Sequence, residues 1–91
     1  MSTKEKKSPE VEIIEKEAEL RSLILYNDDV NSFDFVIETL VDVCEHDFLQ
    51  AESCAWIAHY KGKCSVKKGS FEDIKIRYTE MTNRTLTVEI R

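Results

Sequence analysis

The sequence predicts an α+β fold, a small two-layer sandwich in which a three-stranded, mainly antiparallel sheet packs against three helices in the order β-α-α-β-α-β. Three observations carry that expectation. A short apolar, β-favouring run stops abruptly at a cluster of turn-forming residues, three amphipathic stretches follow polar residues suited to capping a helix, and the last residues alternate apolar with polar. With 91 residues, 42% of them hydrophobic, the chain can close one core and not two.

The opening segment MSTKEKKSPEVEIIEKEAE holds four Lys and six Glu, and after Met1 its only large apolar side chains are Val11, Ile13 and Ile14. It cannot bury enough surface to offset its ordering entropy. Residues 1–20 are therefore expected to form a flexible amino-terminal extension, and residues 21–91 the core domain. Arg21-Ser22-Leu23-Ile24-Leu25-Tyr26, halted by Asn27-Asp28-Asp29, is expected to be a buried strand.

A helix should follow, with Asn31 as its N-cap, Asp34 three residues on, and Val30 and Phe35 in the staple positions. Phe33, Val36, Ile37, Leu40, Val41 and Cys44 then recur at three- and four-residue steps and define its buried face. A second start falls at Asp47, with Gln50 completing a capping box. That helix carries Ala51, Cys54, Ala55, Ala58 and His59, and stops at Gly62, which suits the left-handed closing position. Lys63 to Val66 should give a short strand, and Gly69-Ser70 a turn. Ser70 with Asp73 caps a third helix with Phe71, Ile74, Tyr78 and Met81 facing inward, and Leu86 to Ile90 alternates as a strand with one wet face.

A formal charge of -5 has the wrong sign for a protein that lives on phosphate backbones, so no nucleic-acid partner is expected. No apolar run approaches the roughly 20 residues needed to span a bilayer, so no membrane is expected either. Met1 to Lys7 is charged without an apolar stretch after it, unlike a secretory signal. These features point to the cytoplasm, where Cys44, Cys54 and Cys64 would be reduced thiols. Cys54, His59 and Cys64, with His46 and Cys44 nearby, lack the closely paired ligands of a zinc knuckle, and no cofactor is expected.

The chemistry-bearing residues are few. Asn27, Asp28 and Asp29 end the first strand beside a helix start, a place that turn formers occupy for conformational reasons alone. Read differently, they set two carboxylates and an amide at the mouth of an apolar helix face. His59 follows the small residues Ala51, Ala55 and Ala58, which would leave space beside it; a lone histidine on such a face is also a common interior residue.

The string Leu25-Tyr26-Asn27-Asp28-Asp29-Val30-Asn31-Ser32-Phe33-Asp34-Phe35-Val36-Ile37 resembles the NDD-x-[TN]-x-x-x-F-V segment of ClpS adaptors, and Ala58-His59-Tyr60-Lys61-Gly62-Lys63 resembles their h-H-x-x-G segment. The interval between the two also fits, and Leu86-Thr87-Val88-Glu89-Ile90 is similar to the family's closing strand. The resemblance implies an adaptor of the N-degron (N-end rule) pathway. Such a protein is not an enzyme: it grips the free α-amino group and bulky first side chain of substrates beginning in Leu, Phe, Tyr or Trp. It delivers them to a Clp AAA+ unfoldase of the ClpA or ClpC type for proteolysis by ClpP, and acts as a monomer. By matching positions, Asn27, Asp28 and His59 would hold the amino group, and Asp29 and Asn31 would shape the loop and meet the first peptide unit. Phe33, Val36, Thr39, Ala55, Ala58 and Leu86 would wall the side-chain cavity.

An ammonium offers three donors and one charge, so a selective receptor needs converging acceptors, at least one of them anionic; Asn27, Asp28 and a neutral His59 are of the required types. The chain departs from the common family pattern with Phe33 and Ala55 where relatives often carry Met, and with Ser32 where many carry Pro. Small Ala55 and Ala58 suggest a deeper cavity that favours aromatic first residues over Leu. Two rival readings stay open at this point. Asp28, Asp29 and His59 could serve a metal-dependent hydrolase, and the element order also suits an interaction module resembling the ribosomal stalk carboxy-terminal domain.

Overall fold

The computed structural model describes residues 19–91. The expected extension lies outside the described residues as far as residue 18. Strand β1 spans Leu20–Tyr26, helix α1 Phe33–Cys44, helix α2 Phe48–Lys61, strand β2 Lys63–Ser70, helix α3 Phe71–Asn83 and strand β3 Val88–Ile90. The sheet order is β2-β1-β3, with both pairings antiparallel. The predicted α+β sandwich of three strands and three helices is therefore the observed one, and β1 takes in Leu20, one residue ahead of the expected core boundary.

Local chemistry explains where the helices start and stop. Asp47 caps α2 by accepting from the Gln50 backbone N–H at 2.8 Å, and Ser70 caps α3 by accepting from that of Asp73 at 3.1 Å. Each such cap is worth about 1 kcal/mol. At the start of α1 the cap is Ser32, whose hydroxyl accepts from the Phe35 N–H at 3.1 Å, and not Asn31. Asn31 is engaged elsewhere: its amide donates to the Thr85 carbonyl at 3.0 Å and to both carboxylate oxygens of Asp28.

One core lies between sheet and helices. Leu23 and Leu25 of β1, Leu40 of α1, and Ile74 and Met81 of α3 are the largest fully buried apolar side chains, with Ala51, Ala55, Ala58 and Val66 closing the gaps. Within α1 the phase is rotated slightly from expectation, so Val43 is buried and Val41 is exposed. Phe71, expected inside, is also exposed, because it stands in the first turn of α3 ahead of the packed stretch from Ile74 to Met81. His46 is an interior histidine: its Nε2 lies 2.6 Å from the Val66 carbonyl oxygen and ties the α1–α2 junction to β2.

Two strands differ in length from their sequence signatures. Strand β2 continues through Gly69 to Ser70, because β1 supplies a ladder along the whole run, with a register shift between Leu23 and Ile24. Strand β3 is confined to Val88–Ile90, and Leu86, buried at 4% exposure, precedes it.

Gly62 closes α2 at φ 93°, and its N–H returns to the Ala58 carbonyl at 2.9 Å. Its own carbonyl accepts from the Asn27 N–H at 3.0 Å, so the loop after β1 hangs from the end of α2. A Cβ at Gly62 would meet nothing within 4 Å, which leaves the left-handed backbone as the sole objection to a side chain. Gly62→Ala is expected to cost about 1–2 kcal/mol and to lower the thermal midpoint by about 5–15 °C in a circular-dichroism melt. An unchanged midpoint would contradict the left-handed assignment.

Candidate functional site

The hydrogen bond from Asn27 to Gly62 brings the β1–α1 loop against the last turn of α2, where His59 stands. Between them lies a recess of about 200 Å³ lined by Leu25, Tyr26, Asn27, Asp28, Asp29, Asn31, Phe33, Val36, Ala55, Ala58 and His59. Its lining combines the apolar Leu25, Phe33, Val36, Ala55 and Ala58 with an amide, two carboxylates and an imidazole. A cavity of about 150 Å³ holds a benzene ring, so this one takes a single large side chain and not a drug-sized molecule, which needs about 300 Å³ or more.

The rim is braced from within. Asp28 Oδ1 accepts from the backbone N–H groups of Val30 and Asn31, each at 2.9 Å, and the Asn31 amide bonds Oδ1 at 3.3 Å and Oδ2 at 3.1 Å. A carboxylate can accept about four hydrogen bonds. The loaded Oδ1 fixes the side chain, while Oδ2, with one donor, keeps acceptor capacity. Asn31 joins this loop to Thr85, which sits at φ 67°, a left-handed conformation costly for a β-branched residue and sustained here by its neighbours. On the other flank the Tyr26 phenol donates to Glu89 and accepts from Arg91 at 3.1 Å. Its bond to Glu89 holds the phenol above its ordinary pKa and draws the Glu89 carboxyl below its own.

Nine of the residues singled out from sequence thus meet in one place: Asn27, Asp28, Asp29, Asn31, Phe33, Val36, Ala55, Ala58 and His59. Thr39 and Leu86 are not among the lining residues. Thr39 is fully buried with its hydroxyl unpartnered, and Leu86 belongs to the core cluster. Leu25 and Tyr26 were not picked as walls, although they adjoin the loop; an apolar strand residue gives no sign in sequence of whether it faces core or cavity.

Asp28, Asp29 and His59 share the recess, yet among the described residues no three His, Cys, Asp or Glu side chains stand close enough to hold a metal ion. Nor do the candidate zinc ligands form such a group among the described residues; burial pushes the Cys44 thiol up to about 11, and burial together with neighbouring Cys54 pushes Cys64 to about 12. No helix among the described residues is long and apolar enough to cross a membrane.

A larger, open hollow of about 800 Å³ lies beside the end of α1 and along α3, where Asp42, Asp73, Arg77, Glu80 and Arg84 line it. Two of the three cations on its wall are already matched, Arg77 to Asp73 at 3.0 Å and Arg84 to Glu80 at 3.1 Å, and Lys75 is the third. The small recess is the one that unites the loop after β1 with His59 and apolar side chains of α1 and α2.

Comparison with known proteins agrees in fold and in family. The family described as "ATP-dependent Clp protease adaptor protein ClpS" matches residues 16–89. Among solved structures, ClpS2 of Agrobacterium tumefaciens bound to L-phenylalaninamide is similar with a TM-score of 0.76 at 20% identity, covering 80% of this chain and 95% of that chain.

Proposed function

Since the chain belongs to the ClpS family of Clp protease adaptors, we propose that its recess captures the amino-terminal residue of N-degron substrates and that the bound substrate is handed to a Clp AAA+ unfoldase for degradation by ClpP. The observation that carries this reading is that Asn27, Asp28 and His59 line one small recess together with Phe33, Val36, Ala55 and Ala58, in a volume suited to one side chain. In the similar Agrobacterium protein the bound molecule is L-phenylalaninamide, a free α-amine bearing a benzyl side chain.

In this reading Asp28 supplies the negative charge, Asn27 a side-chain carbonyl and His59 a ring nitrogen to the three ammonium hydrogens. Asp29 and Asn31 hold the loop and face the first peptide unit. Phe33, Val36, Ala55 and Ala58 receive the side chain. The protein binds and does not catalyse; the extension over residues 1–20 serves handover to the unfoldase, and the core over 21–91 serves capture. Each charge-assisted contact contributes roughly 1.5–3 kcal/mol, and burial of a Leu or Phe side chain about 1.5–3 kcal/mol. After association costs the sum suits micromolar to sub-micromolar binding.

Isothermal titration with a short peptide beginning in Phe tests the proposal. Micromolar binding is expected, with no competition from the same peptide beginning in Gly; absence of binding would overturn it. Because Ala55 and Ala58 leave room at the base, peptides beginning in Phe, Tyr or Trp should bind about threefold or more tighter than one beginning in Leu, roughly the worth of one extra buried methylene-sized group. A Leu preference would refute the depth argument alone.

A further inference from the structure

Phe33 lines the recess from the first turn of α1, and it does not stand alone. Its ring centroid lies 4.5 Å from that of Trp56 at an interplanar angle of 52°, and Trp56 in turn stacks on Tyr60 at 5.2 Å and 11°. Trp56 and Tyr60 are one helical turn apart on α2, so their ladder is fixed by a continuous backbone. Trp56 also meets His59 edge-on, with centroids 6.0 Å apart. Neither Trp56 nor Tyr60 lines the recess, and both are exposed, at 43% and 74%.

We infer that Trp56 is a positioning residue that sets which first side chains the recess admits, by holding the Phe33 ring at its place on the recess wall. This rests on the capture function proposed above. A Phe side chain at the start of a helix has alternative staggered rotamers, and the surrounding space decides among them. With Trp56 present, an aromatic contact favours the observed placement of the ring, since such pairs add attraction beyond their buried area. Without it, that contact is lost, and the Phe33 ring gains freedom to turn into part of the space meant for the ligand. Large first residues should lose most, because they need the full volume.

The experiment is a titration of wild-type, Trp56→Ala, Trp56→Phe, Phe33→Ala and the Phe33→Ala/Trp56→Ala double variant with two peptides identical except for Phe or Leu at the first position. Trp56→Ala should weaken the Phe-first peptide about fivefold, the scale of one lost aromatic pair, and the Leu-first peptide less than twofold. Trp56→Phe, which keeps a ring in place, should restore most of the difference. In the Phe33→Ala background the second substitution should change affinity less than twofold, because a residue that acts through another has no effect once that one is gone. Equal losses for both peptides, no loss at all, or a Trp56→Ala effect that persists without Phe33 would each overturn the inference and leave capture itself intact. Failure of the wild-type protein to bind either peptide would overturn both. Circular-dichroism melts of the same variants exclude unfolding as the cause of a loss.

Discussion

Acetylating the α-amino group of a peptide that begins in Phe is expected to weaken its binding about a hundredfold or more. The modification removes the positive charge and two of the three donors, and adds an acyl group where Asn27, Asp28 and His59 line the rim. Losing two charge-assisted hydrogen bonds at roughly 1.5–3 kcal/mol each accounts for that factor, which corresponds to about 2.7 kcal/mol. Asp28 cannot turn away to relieve the mismatch, since the Val30 and Asn31 N–H groups hold its Oδ1. The pH dependence has a defined sign. A peptide α-amino group titrates near 7.7–8.0 when free, and capture through Asp28 requires the protonated form, so affinity should be full below that range and fall as the pH rises through it. Titration of both peptides between pH 6.5 and 9.5 checks the two statements together. An acetylated peptide that binds within threefold of the free one, or affinity level to pH 9.5, would remove the charge from the mechanism.

Leu40→Ala is the second large effect. Leu40 is fully buried on α1 among Leu23, Leu25, Ile74 and Met81, and truncating such a leucine costs about 2–5 kcal/mol, the spread reflecting how far the site collapses. A domain of this size has only about 5–10 kcal/mol in hand, so the thermal midpoint should drop by about 10–30 °C. Ile76→Ala, at a position 70% exposed on α3, should stay within about 0.5 kcal/mol. A circular-dichroism melt of the pair gives the contrast directly. Equal midpoints would mean that the helices do not close on the sheet as described.

The sequence carried the elements whose boundaries depend on local chemistry. Asp47 with Gln50, Gly62, and Ser70 with Asp73 each mark a helix end by a hydrogen bond or a backbone preference confined to a few residues, and each stands where it was expected. Choices decided by distant partners were not legible. Asn31 and Ser32 are both good caps; the Thr85 carbonyl, far along the chain, recruits Asn31 and leaves Ser32 to the helix. Lys67, Lys68 and Gly69 show no alternation, yet β1 pairs them into β2. At the recess, the loop residues and the stripe of Ala55 and Ala58 were visible from their types and spacing. The fully buried setting of Thr39 and the appearance of Leu25 and Tyr26 on the wall depend on how α1 rotates against the sheet, which no local pattern records.

The chain contains one tryptophan, and the ladder places it within ring distance of two groups that border the recess, Phe33 and His59. Indole emission responds to the polarity around it. If the recess captures a first residue as proposed, unlabelled protein excited at the red edge of its absorption, where the tyrosines stay dark, should report optically on its own occupancy, with no dye to perturb the mouth it watches.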